Sequence, residues 1–154
     1  MGRAYCAPLL AASCSKRKIE KFMIKGSCLC QEVKYQYSEK INEVVICHCN
    51  QCKRAQGAPF VTNAPINTKG FSFTQGSQLV KEFFSSPNKK RVFCSSCGSP
   101  FYSQRVDMPE VIRLRLGTVT EGHIPEPDYE IYCESKSGWY SAKVNRPAYE
   151  QNKA

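Results

Sequence analysis

The sequence predicts an all-β fold of short antiparallel strands with one short helix, and two observations carry that expectation. Val33, Tyr35 and Tyr37 alternate with Lys34, Gln36 and Ser38. A period of two puts one face of an extended chain in a core and the other in water. β-Branched and aromatic runs then recur at short intervals, each bounded by turn residues, as in a sheet or sandwich.

The elements follow in order. After the Val33–Ser38 strand, Glu43 to Cys47 is a short β-branched run. Gln51 to Gln56 is the one helical stretch, with Gly57 placed to stop it. Further strands are expected over Phe60–Ile66, Phe71–Thr74, Leu79–Phe84, Arg91–Cys94 and Val111–Gly117. Thr68-Lys69-Gly70, Gln75-Gly76-Ser77, Ser86-Pro87-Asn88 and Met108-Pro109 supply the turns between them. Ile124-Pro125-Glu126-Pro127 reads as a rigid loop or linker.

The chain divides into an extension over 1–22, a patterned domain over 23–150 and a tail over 151–154. The extension is basic, with Arg3, Lys16, Arg17, Lys18 and Lys21 against a single acid, Glu20. It is expected to be a flexible addition ahead of Met23, a targeting segment being the alternative. A net charge of +9 favours anionic partners, yet no dense basic stripe with interleaved aromatics marks a nucleic-acid binder. No window approaches the ~20 apolar residues of a membrane-spanning helix. No Ser-His-Asp order, phosphate-cradling glycine loop or paired-carboxylate motif is present.

The chemistry lies in ten cysteines, at 6, 14, 28, 30, 47, 49, 52, 94, 97 and 133. Cysteine this dense means disulfides in a secreted chain or metal in a reducing compartment. C-x-C and C-x-x-C pairs close loops too small to make useful disulfide staples, so metal in the cytoplasm is the expectation. Cys28 and Cys30 sit two apart, on one face of an extended chain. Cys94-Ser95-Ser96-Cys97-Gly98 has the form of a zinc knuckle, its glycine free to leave the turn with positive φ. Together the two pairs supply the four thiolates of a closed tetrahedral zinc.

Cys47, Cys49 and Cys52 offer three more thiolates within six residues. Three protein ligands and an open position is how catalytic zinc is held. His48 lies between two of them and is expected to point away as a packed imidazole. Spacing alone leaves a second grouping open: Cys49 and Cys52 with Cys94 and Cys97 would make a zinc ribbon. Cys133 is expected to be a buried apolar side chain, Trp139 core or pocket wall, and His123 structural.

Three segments carry a family resemblance: Gly26-Ser27-Cys28-Leu29-Cys30, Cys47 through Phe60, and Phe93-Cys94-Ser95-Ser96-Cys97-Gly98-Ser99-Pro100. They resemble the glutathione-dependent formaldehyde-activating enzyme family, which also includes centromere protein V. His123-Ile124, Ser135-Lys136-Ser137-Gly138-Trp139 and Tyr149 look like its C-terminal signature. The stretch from Pro125 to Tyr132 is longer than the family's usual spacing.

The resemblance implies a zinc-binding β-tent and two zinc ions per chain, the second site sometimes partly empty. It implies Cys28, Cys30, Cys94 and Cys97 as structural ligands and Cys47, Cys49 and Cys52 as the catalytic zinc site. It implies carbon–sulfur lyase chemistry that joins glutathione to formaldehyde. Lys53 and Arg54, beside the open site, are candidates to attract the carboxylates of glutathione, or are ordinary exposed charges. A non-catalytic zinc module that binds protein or nucleic acid, and a metal-handling or thiol-redox protein, are the alternatives.

Overall fold

The computed structural model describes residues 22–140. The 1–22 extension except Phe22, the 151–154 tail, Cys6, Cys14 and Tyr149 lie outside the described residues.

Strands dominate, as the alternation predicts, in two open sheets. The smaller sheet holds β1 (Ile24–Ser27), β2 (Lys34–Tyr37), β5 (Phe71–Gln75) and β10 (Val119–Glu121), in the order β10-β1-β2-β5. The larger holds β3 (Val45–Cys47), β4 (Val61–Asn67), β6 (Val80–Ser86), β7 (Lys89–Cys94), β8 (Pro100–Arg105), β9 (Val111–Arg115) and β11 (Tyr129–Ile131). Their order is β11-β3-β4-β9-β8-β7-β6. The pairings are antiparallel except that of β11 with β3, which is parallel. A short helix, α1 (Asn50–Gln56), follows β3.

The core lies between the sheets. From the larger sheet come Ala64, Ile66, Val92, Ile112 and Leu114, and from the smaller Ile24, Tyr35 and Tyr37. Each fully buried aliphatic side chain contributes roughly 1.5–3 kcal/mol. Phe71, Phe73, Phe101 and Tyr102 add edge-to-face and stacked ring contacts around Tyr35. Gly26 is needed where Tyr35 crosses β1, because a Cβ there would lie 2.1 Å from the Tyr35 ring and 2.5 Å from the Thr118 carbonyl.

Four strands lack a clean sequence signal. β1 contains a glycine, β8 begins on a proline, and β10 and β11 are three residues each. The proline-rich stretch Ile124-Pro125-Glu126-Pro127 is a loop, as expected, and Tyr129–Ile131 then returns to the sheet beside β3. Asp128 anchors that return. Its carboxylate accepts from Val44 N–H at 2.8 Å, and its own N–H donates to the Val44 carbonyl at 2.9 Å.

Candidate functional site

Two cysteine clusters form where strand ends meet. The sulfurs of Cys28, Cys30, Cys94 and Cys97 all lie within 4.8 Å of one another. Cys28 to Cys30 is 3.3 Å and Cys30 to Cys94 is 3.9 Å. A tetrahedral zinc with bonds of about 2.3 Å needs sulfurs about 3.8 Å apart, so the donor set fits the ion. The loop between β1 and β2 supplies one pair, and the end of β7 with the loop that follows it supplies the other. The cluster therefore ties the smaller sheet to the larger.

Local backbone explains the approach. Gln31, at φ 62°, tightens the first loop so that the Val33 N–H reaches the Cys28 sulfur at 3.3 Å. Gly98, at φ 76°, lets its N–H reach the Cys94 carbonyl at 2.8 Å. The Ser99 hydroxyl hydrogen-bonds the Cys97 sulfur at 3.3 Å. That bond holds the Cys97 thiol down at about 5, in favour of the thiolate a metal takes.

The second cluster is Cys47, Cys49 and Cys52, again with sulfurs within 4.8 Å. Cys47 ends β3. Cys49 caps α1, its sulfur accepting from Cys52 N–H at 3.4 Å, and Cys52 sits in the first turn. Gly57, at φ 63°, closes the helix with its N–H on the Lys53 carbonyl. The seven sulfurs thus gather as four and three, which differs from the zinc-ribbon grouping that spacing left open.

His48 turns away from the sulfurs. Its ring is buried, packs on Phe60, and lies with Nε2 3.0 Å from Glu130. Glu130 also pairs with Lys136, and the His48 N–H donates to the Ile131 carbonyl at 3.1 Å. His48 therefore pins β11 against β3.

A cleft of about 370 Å³ opens beside the three-cysteine cluster. Cys47, Cys49 and Cys52 line one end, and Lys89, Arg91, Arg113 and Arg115 line the body. Strand register builds this cationic face. Arg91 is opposite Ser103, Ser103 opposite Arg113, and Arg113 opposite Pro65. On β7 and β9 the cations alternate with the core residues Val92, Ile112 and Leu114, so they point to the other side.

Arg115 is only 3% exposed. Its guanidinium donates to the Ser103 hydroxyl at 3.3 Å and faces the Cys52 sulfur. A buried cation needs a partner of opposite charge, and here that partner is sulfur. The hydrogen bond with Cys47, then the charge of Arg115, hold the Cys52 thiol down at about 4. The same bond and burial push the Cys47 thiol up, so one proton is held between them. Lys89, Arg91 and Arg113 make no ion pair among the described residues. Burial, then the charge of Arg113, lower the Lys89 ammonium from its ordinary value. Unpaired cations crowded in a cleft mark an anion site.

The sequence reading missed these cations. Lys89 with Arg91, and Arg113 with Arg115, are spaced i, i+2 on strands whose other face is apolar, and that spacing was the available signal. Lys53 does not face the cleft: its ammonium donates to the Ser135 carbonyl and lies 3.4 Å from the Ser137 hydroxyl. Arg54 is exposed and lines a neighbouring groove. Cys133 is exposed rather than buried, because the turn at Tyr132, with φ 58°, carries it outward. Trp139 is 74% exposed and is neither core nor cleft wall among the described residues.

Fold and site together define a small cysteine-rich β protein with two clusters able to hold metal and an anion-attracting cleft at one of them. Residues 23–135 match the family described as glutathione-dependent formaldehyde-activating enzyme. The chain belongs to that family. No curated protein matches it significantly. Among solved structures it is similar to the crystal structure of a Rhodobacter sphaeroides protein, a structural-genomics target. That structure has 22% identity and a TM-score of 0.54, with 69% of this chain and 98% of that chain covered. At that identity the likeness is one of fold.

Proposed function

We propose that this protein is a zinc-dependent enzyme of the carbon–sulfur lyase type that joins an anionic thiol to formaldehyde, with glutathione as the thiol. The observation that carries the reading is the three-cysteine cluster at the end of a cleft in which Lys89, Arg91 and Arg113 make no ion pair among the described residues. Glutathione presents two carboxylates and one thiol, and the cleft offers cations along its body and sulfur ligands at its end.

Cys28, Cys30, Cys94 and Cys97 would hold a closed structural zinc, and Cys47, Cys49 and Cys52 a second, open one. Zinc in the three-cysteine cluster supplies the Lewis acidity that keeps a thiol deprotonated at neutral pH. The protein's own residues do the rest. Arg113 and Lys89 bind the carboxylates and direct the thiol toward the cysteine end. Arg115, fixed by Ser103, balances the negative charge of the sulfurs. Ile131, held opposite Cys47 by the β11–β3 pairing, walls the site from water. The reaction forms one bond between sulfur and the carbonyl carbon, and the thiol proton ends on the former carbonyl oxygen. Positioning of this kind removes much of the entropic cost of a bimolecular step.

Exchange spectroscopy by NMR tests the reading, through the interconversion of free formaldehyde and S-hydroxymethylglutathione. The wild-type chain should accelerate exchange, Cys49→Ser should abolish the acceleration, and Arg113→Gln should weaken it at low glutathione. No acceleration by the zinc-loaded wild type would refute it. Salt-sensitive binding of nucleic acid in place of that activity would favour a non-catalytic zinc module instead.

A further inference from the structure

A second groove continues the cationic cleft. It has a volume of about 630 Å³ and shares Gln51, Arg91 and Arg115 with the cleft. Its remaining walls differ in character. Phe83, Phe93, Tyr102, Pro100 and Ala55 give it an apolar surface between α1 and the strands β6, β7 and β8. Phe83 stands directly across from Arg91 in the β6–β7 pairing. The rings of Phe83 and Phe93 therefore follow Arg91 along one sheet face, with Gln51 and Arg115 at the junction.

Phe83 is 60% exposed. An apolar patch left open beside a polar site marks a place where something binds. Formaldehyde, a single carbon, makes no use of it, and a peptide thiol anchored by its carboxylates already has the cleft. What lies between is the carbon that joins the sulfur, and the groove opens beside the cluster that would hold that sulfur.

We infer that the site also accepts aldehydes that carry an apolar chain or ring in place of a hydrogen of formaldehyde, and that the groove holds this substituent while the cationic cleft holds the thiol. The inference rests on the proposed thiol–carbonyl reading and extends it to substrate class. The step is the addition of the thiol to the aldehyde carbon. The carbon–sulfur bond forms, the carbonyl π pair moves to oxygen, and the thiol proton ends on that oxygen. The product is a hemithioacetal, and nothing is oxidised or reduced.

Stable thioethers serve as probes: S-methylglutathione and S-hexylglutathione, titrated calorimetrically into the zinc-loaded full chain. The wild type should bind the hexyl compound at least about tenfold tighter. That is well below the full transfer value of five methylenes, because the groove is open on one side. Phe83→Ser should cut the ratio below about twofold and leave the methyl compound's affinity unchanged. Ala55→Trp, which fills the groove from the exposed side of α1, should do the same and guards against a fold defect in the first variant.

Equal affinity for both probes in the wild type overturns the inference and leaves the thiol reading standing. Failure of both probes to bind overturns the two together. A wild-type dimer that Phe83→Ser dissociates, with equal affinity for the probes, would assign the groove to a second copy of the chain and overturn the inference.

Discussion

Replacing Cys94 with serine should unfold this protein, and replacing Cys49 with serine should not. Cys94 is fully buried, is part of the main core, and contributes to the cluster that joins the two sheets. A four-thiolate structural zinc contributes on the order of 10–16 kcal/mol of apparent binding energy. A domain of this size has a total stability of about 5–15 kcal/mol. Removing one thiolate forfeits a large share of the first figure and leaves a hydroxyl among apolar side chains, so the loss reaches the whole of the second.

Cys49 occupies a different position. It is half-buried, caps α1, and lies in a cluster that no second sheet depends on. Serine is itself a good helix cap, so the N–H of Cys52 keeps its acceptor. The helix should survive while the cluster loses its metal. Thermal melting by circular dichroism, with zinc counted by mass spectrometry, reads both outcomes. Cys94→Ser should show no cooperative melt, and Cys49→Ser should melt cooperatively with one zinc fewer per chain than the wild type. A Cys94→Ser variant that melts within a few degrees of wild type, or a Cys49→Ser variant that fails to fold, would refute the division of labour between the clusters.

Arg113→Gln should weaken glutathione binding by about 10- to 100-fold, as expected for one lost charge-assisted hydrogen bond, and should flatten the salt dependence. Titration calorimetry at two salt concentrations checks this. Lys89 provides a pH signature. Its ammonium form is disfavoured in the folded chain, so raising the pH through its lowered pKa relieves the apo protein, and lowering it costs stability. An anion in the cleft reverses that bias, so binding should take up protons between the lowered value and the ordinary 10.5, and affinity should fall there as pH rises. Calorimetry near pH 9 in buffers of different ionisation enthalpy measures the uptake, and Lys89→Met should remove it. Gly26→Ala should destabilise by roughly 2–3 kcal/mol or more, since the new methyl meets the Tyr35 ring and the Thr118 carbonyl at clashing distance. Urea denaturation reads that loss.

The cysteines were legible because their spacing is local. Two pairs and a trio can be recognised without knowing where the strands go, and the helix after Cys49 announced itself through Gly57. The cationic cleft was not legible in the same way. Arg91 and Arg113 come together only through the β7-β8-β9 register, and β8, with Pro100 at its start and Ser103 at its centre, gave no strand signal. The rim of the site was hidden for a related reason. Tyr129–Ile131 is too short to show alternation, and its parallel pairing with β3 depends on Asp128, His48 and Glu130 meeting across some 80 residues of sequence. Cys133 and Trp139 are exposed, against expectation, because the turn after that return strand sends the chain outward.

X-ray absorption at the zinc edge tests the central claim most directly, because it counts sulfur neighbours per metal. One closed and one open site predict an average of about 3.5 sulfurs per zinc in the loaded chain, rising to about 4 when glutathione is added. An average of about 4 before the thiol arrives, or no change after it, would contradict the account.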